Sequence, residues 1–223
     1  MPGRKLLSLF LLLLFLFACA RRPLQLPPEV WTEESPSFKA LVTFRVCAPG
    51  RKLSGKAVII SSERTLYVEG FSLLGAPLFS LWVQTDGFYL VSYVEGKAYH
   101  VLLEPPCPEL NRLWSYLIQG KLPSTLQWKV ENRASIRLGQ GYKLTVKGQP
   151  PVFKISYRKR GLFEEKVSGK EFLFEFPLFH ASIQFKWKRK EPLLAFEAPP
   201  PRPVLPYQRL TLKVAEFTDI KAD

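Results

Sequence analysis

Residues 64–94 read RTLYVEGFSLLGAPLFSLWVQTDGFYLVSYV, and their periodicity decides the fold. Three runs rich in aliphatic, β-branched and aromatic residues, Arg64–Phe71, Pro77–Gln84 and Phe88–Val94, have the length and composition of strands. Ser72-Leu73-Leu74-Gly75-Ala76 joins the first two, and the hairpin pair Asp86-Gly87 joins the last two. Such short connections make neighbouring strands antiparallel. The alternation is not clean, however. Leu66-Tyr67-Val68, Leu81-Trp82-Val83 and Phe88-Tyr89-Leu90-Val91 are apolar at consecutive positions. An antiparallel sheet with one wet face alternates more strictly. Something apolar must therefore cover the second face: a helix over part of it and a hydrophobic ligand over the rest.

The same reading extends in both directions. Phe38–Val46 and Lys56–Ser61 are strands split by Pro49-Gly50, and Glu95-Gly96-Lys97 turns into a further strand, Ala98–Leu103. Pro105-Pro106-Cys107-Pro108 then breaks the sheet. Glu109–Gln119 changes to helical period, with Leu110, Leu113, Trp114 and Leu117 on one stripe. Pro108 and Glu109 suit its start, Gly120 its C-terminal cap, and Pro123 prevents continuation. Ser135–Leu138, Tyr142–Val146, Val152–Tyr157, Glu171–Phe176 and Ser182–Lys188 resume the sheet. A proline-rich surface link, Pro199–Pro206, leads to a last strand, Tyr207–Val214. The expectation is a mainly β chain with α (α+β), of about ten or eleven strands and one clear internal helix. The topology of residues 163–206 does not follow from the pattern.

The N-terminus has a different character. Arg4 and Lys5 precede an apolar run, Leu6–Phe17, that is interrupted only by Ser8. About 20 residues are needed to span a hydrocarbon core as a helix, so this run is a secretory signal peptide rather than a membrane span. It ends Leu16-Phe17-Ala18-Cys19, which resembles the lipobox of bacterial lipoproteins, although Phe17 is larger than the residue preferred there. That resemblance implies acylation of Cys19 with a diacylglycerol, cleavage before it and, with Ala20 rather than Asp following, residence at the periplasmic face of the outer membrane. The chain then divides into a signal peptide (1–18), a lipidated N-terminus and proline-containing tether (19–37), and a single domain (38–223).

Charge and chemistry narrow the function. The 32 Lys and Arg against 19 Asp and Glu give a formal charge of +13. A basic balance often indicates nucleic acid, but an exported protein would rarely meet any, and anionic head groups are the more natural counter-charge. Lys186-Trp187-Lys188-Arg189-Lys190 and Arg158-Lys159-Arg160 are the densest basic runs, read as solvated strand faces with weak membrane attraction. Of the three cysteines, Cys47 and Cys107 remain after lipidation, and either a disulfide or two buried free thiols fits an exported chain. The two histidines, His100 and His180, are far apart in sequence. No HExxH, paired-cysteine spacing or GxSxG elbow accompanies them. Gly139-Gln140-Gly141 lacks the Lys-Ser/Thr ending of a phosphate loop and reads as a turn. No catalytic residue, metal or cofactor is expected, and the chain is not expected to be an enzyme.

Three stretches together resemble the LolB-type outer-membrane lipoprotein receptors, a family related in fold to the periplasmic LolA carriers. Arg64–Leu81 looks like that family's third and fourth strands with their apolar loop. Leu110–Pro123 (LNRLWSYLIQGKLP) looks like its helix, and Tyr207–Phe217 (YQRLTLKVAEF) like its final strand. The resemblance implies a strongly curved antiparallel sheet, a half-open barrel covered by a few helices, around an apolar cavity that holds acyl chains. It further implies acylated lipoproteins or other lipids as cargo and a LolA-like carrier as the upstream partner. The loop position that helps insertion into the membrane maps onto Leu73 and Leu74, which could equally continue the core. Phe44, Trp82, Tyr93, Trp114 and Leu117 are the expected cavity residues, being bulky and placed on elements that should face inward. An assembly lipoprotein that docks a protein on its apolar face, or a carrier of another amphiphile, would share these features.

Overall fold

Burial that alternates along several strands organises the molecule around one very large sheet. The computed structural model describes residues 26, 30–32, 37–62, 65–130, 133–148, 150–158, 160–168, 170–177, 180–193 and 198–214. The expected signal peptide, Cys19 and most of the tether lie outside the described residues, as does the end of the last family-like stretch after Val214. After β1 (Trp31–Thr32), the first wing holds β2 (Phe38–Ala48), β3 (Arg51–Ser61), β4 (Leu66–Phe71), β5 (Pro77–Gln84), β6 (Gly87–Ser92) and β7 (Lys97–Glu104). Helix α1 (Pro108–Leu117) follows, then β8 (Leu122–Pro123), β9 (Lys129–Val130), β10 (Ala134–Leu138), β11 (Tyr142–Lys147) and β12 (Val152–Tyr157). The chain continues through β13 (Arg160–Ser168), β14 (Glu171–Phe176), β15 (Ala181–Pro192) and β16 (Gln208–Lys213), and β9 to β15 make up the second wing.

Fourteen strands form one sheet in the order β16-β7-β6-β5-β4-β3-β2-β15-β14-β13-β12-β11-β10-β9, and β1 and β8 form a separate parallel pair. Every pairing in the large sheet is antiparallel except β16 on β7. The resemblance to the LolB-type receptors implies a half-open barrel with a few helices. The sheet is instead open, with β16 and β9 at its two ends, and is not strongly curled; α1 is the one α-helix among the described residues. The strand expectation also falls short in particular places. β13 went unread because Glu164-Glu165-Lys166 interrupts the apolar alternation. β3 and β15 run longer than expected, to eleven and twelve residues. These long strands matter, because β15 pairs with β2 from Ser182↔Cys47 to Pro192↔Phe38 and so welds the two meanders into one sheet.

The two faces of the first wing are covered differently. On the inner face, Phe44, Val68, Val83, Leu144, Ile155 and Phe174 belong to a continuous core with the buried helix residues Leu110, Leu113 and Leu117. The helix starts at Pro108 with Glu109 in its first turn, where the dipole favours an acid. It stops at Gly120, whose φ of +64° permits the left-handed cap and whose N–H reaches Leu117 O at 2.7 Å. On the outer face, Tyr67, Trp82, Tyr89 and Val91 form a second cluster. The proline-rich segment lies over it. Trp82 Nε1 donates to Pro200 O at 2.9 Å, and the Arg202 guanidinium sits 3.6 Å from the centre of the Tyr89 ring. The doubly apolar strands thus have a protein cover on this face, which the sequence reading had left to a ligand.

Candidate functional site

The inner face leaves a space unfilled. Between α1 and the sheet is a cavity of about 390 Å³ whose lining is apolar throughout. Its walls come from both wings: Phe44 on β2, Leu81 on β5, Leu103 on β7, Trp114 on α1, Phe163 on β13 and Phe185 on β15 are among them. Close approach at two glycines shapes its floor. Gly55 lies opposite Phe44, and Gly70 opposite Phe79. A Cβ on Gly55 would fall 1.9 Å from Phe71 O, and one on Gly70 2.3 Å from the Phe79 ring. With no side chains there, the Phe44 and Phe79 rings meet edge to face, centroids 5.7 Å apart. Trp114 closes the opposite side, 4.9 Å from Phe163 and 6.2 Å from Phe88. Its indole Nε1 is buried and has no hydrogen-bond partner.

The expected cavity residues divide. Phe44 and Trp114 line it. Leu117 is fully buried in the surrounding core but not on the lining. Trp82 and Tyr93 correct the expectation, because both lie on the opposite face. Phe79, Leu81 and Val83 take the inner parity of β5, so Ser80 and Trp82 point outward. Tyr93, just past the end of β6, is exposed and its hydroxyl is 3.0 Å from Ser80 Oγ. Lining residues from β13, β14 and β16, such as Phe163, Phe174 and Leu212, were not anticipated. Only the inward alternation of Phe172 and Phe174 could have signalled them.

The loop leucines are settled by exposure. Leu73 is 69% and Leu74 98% exposed, so neither continues the core. The loop that carries them is well tied: Ser72 N–H donates to Ala76 O at 2.8 Å, Gly75 N–H to Ser72 O at 3.0 Å, and Ala76 N–H to Ser72 Oγ at 3.1 Å. Gly75 takes φ +87°, which closes the turn. Antiparallel pairing puts the β6–β7 tip at the same end of the sheet, next to this loop, and Val94 there is 71% exposed. Two adjacent hairpin tips therefore present bare aliphatic side chains to solvent.

Nothing in the remaining chemistry assembles. Cys47 and Cys107 are both free thiols, not a disulfide. Burial pushes the Cys107 thiol up to about 11, which leaves it a poor nucleophile. His100 stacks on Tyr89 at 4.1 Å on the outer face, and His180 is in a turn with φ +47°. Among the described residues no three His, Cys, Asp or Glu side chains are grouped as a metal site would need, and no helix is long and apolar enough to cross a membrane. One buried group stands out. Glu165 on β13 is fully buried, opposite Phe153 and Phe174, and neither carboxylate oxygen has a partner. Desolvation holds its carboxyl well above the usual range.

No family model matches the sequence, and neither does any curated protein. Among solved structures, a DUF1329 family protein from Desulfovibrio piger aligns with a TM-score of 0.34 and 9% identity, covering 74% of this chain and 89% of that one. A domain from Vibrio parahaemolyticus, assigned provisionally to outer membrane lipoprotein sorting, aligns with a TM-score of 0.35 and 8% identity over the same shares. Alignments this loose say nothing about what the chain binds.

Proposed function

We propose that this chain is a lipid-anchored outer-membrane protein that takes the acyl chains of lipoproteins into the inner-face cavity and releases them into the membrane. The observation that carries the reading is the cavity itself. Protein interiors are packed to the density of organic crystals, and about 390 Å³ of unfilled space lies within the range of small-molecule sites. Its lining offers water no useful set of partners, so a polar or charged substrate would lose its hydration without compensation. An acyl chain gains roughly 0.8 kcal/mol per methylene on burial there.

Delivery needs a second property, contact with the bilayer. Leu73, Leu74 and Val94 supply aliphatic surface at the hairpin tips, and aliphatic groups so exposed mark an interaction surface when they lie together. The expected anchor at Cys19 would keep the protein at that surface. Direction then follows from differential affinity: chains leave a less favourable carrier for this cavity and leave the cavity for the bilayer.

The test is transfer. An acylated lipoprotein is presented in solution and its incorporation into phospholipid vesicles is followed with the wild-type protein and with Leu81→Trp, which fills the cavity. The reading predicts that Leu81→Trp folds, as judged by its thermal transition, yet transfers at least tenfold more slowly. Equal transfer by a folded Leu81→Trp would exclude the cavity as the acyl site.

A further inference from the structure

The outer face of the second wing carries an arrangement that the cavity does not explain. On β10, β11 and β12 the inward residues are apolar and buried, among them Leu138, Leu144, Val146, Phe153 and Ile155. The outward residues are basic or hydroxylic. Around a shallow concavity stand Arg137, Lys143, Lys147, Lys154 and Arg158, with Arg133 at its edge and the hydroxyls of Thr145 and Ser156 between them. An ordinary solvated strand face interleaves charges of both signs. This one does not: Arg137 lies directly opposite Lys143 across the β10–β11 pair, and like charges in that position are destabilising. Two acids border it. Glu164, opposite Lys154, is 3.8 Å from Lys166, and the Glu109 carboxylate comes up to Gly139 at one end of the concavity.

We infer that this concave basic face is a binding site for phosphate-bearing head groups of anionic lipids. The donor set fits phosphate: guanidinium forks from Arg137 and Arg158, ammonium groups from three lysines, and the Thr145 hydroxyl within the ring of charge, while Ser156 Oγ donates to Lys143 O at 3.4 Å. The placement fits a membrane better than an acidic protein. Following the antiparallel pairings from β4 and β5 across to β11, the β10–β11 turn at Gly139–Gly141 is at the same end of the sheet as Leu73, Leu74 and Val94. The inference is independent of the cavity's contents and would hold for a protein that binds no acyl chain.

The experiment uses the protein with Cys19→Ser, so that no anchor contributes. Its binding to vesicles of phosphatidylglycerol mixed with phosphatidylcholine is measured by co-sedimentation, against phosphatidylcholine alone. Lys143→Glu/Lys154→Glu is compared with Lys186→Glu/Lys188→Glu, a change of the same net charge on β15. The expected result is selective binding to the anionic vesicles, reduced roughly tenfold or more in the first variant and far less in the second. Tripolyphosphate should compete, and a dissociation constant for tripolyphosphate alone, weakened by Lys143→Glu/Lys154→Glu, would separate a discrete phosphate site from a bilayer-only effect. Equal losses in the two variants would overturn the inference in favour of unspecific charge. No binding of the wild type to anionic vesicles would also overturn it, and an acidic protein would become the better occupant.

Discussion

Leu74 is nearly fully exposed on a loop held by three hydrogen bonds involving Ser72, so its side chain can be changed without disturbing the sheet. Leu74→Glu should leave the thermal transition within about 0.5 kcal/mol of wild type and impair delivery to vesicles, while acyl binding in solution persists. Glu165 gives a different kind of prediction. Its folded-state pKa is raised above the unfolded value near 4.5, so the native state holds a proton that the unfolded state has released. Stability is therefore full below about pH 4.5 and falls as pH rises through the interval up to the folded pKa. Glu165→Gln removes that loss. It should be more stable than wild type at pH 7, and the advantage should shrink towards zero as denaturation is repeated down to pH 4. An advantage independent of pH would mean that the carboxyl is not the buried titrating group. At Lys143, Glu replaces a like-charge contact with Arg137 by an opposite one, and chemical denaturation should show a gain of about 0.2–1 kcal/mol.

At the scale of elements, the proline-rich strap and the glycine floor do separate work on the two faces. The strap reaches Trp82 from 118 residues away in sequence and is held to the outer face by Arg202 over Tyr89 and by Tyr207, 5.4 Å from the same ring. Arg202→Ala should cost about 0.5–2 kcal/mol and expose residues 198–207 to proteolysis, with acyl binding on the inner face unaffected. Gly55→Ala drives a Cβ into the Phe71 carbonyl and should destabilise by about 2–4 kcal/mol. These contacts also explain what could be read from the sequence and what could not. The meander from Phe38 to Leu103 was legible because turn signals and period-two runs agree. The helix was legible because Pro108, the leucine stripe and Gly120 agree. The facing of Trp82 and Tyr93 was not, because both parities of β5 and β6 are apolar. Only the distant strap distinguishes outer from inner. β13 escaped because Glu165, a charged residue in sequence, is a buried one in the fold.

For the whole molecule, one sheet provides three surfaces. Its inner face holds an apolar cavity closed by α1, one end carries bare leucines and a valine, and the outer face of the second wing is basic. Closing the sheet was not needed for this. β15 on β2 joins two meanders into a single open sheet, and the helix covers the inner face where the wings meet. The proposed acyl-handling function rests on the cavity. Its content is therefore the claim to test first. The protein with Cys19→Ser would be titrated with a fluorescent triacylated lipopeptide and with the same peptide lacking its acyl chains. Saturable one-to-one binding that requires the chains and is lost in Leu81→Trp is the predicted result. Binding that ignores the chains, or none at all, would contradict an acyl cavity and turn attention to the exposed sheet edges at β16 and β9 as docking sites for a protein partner.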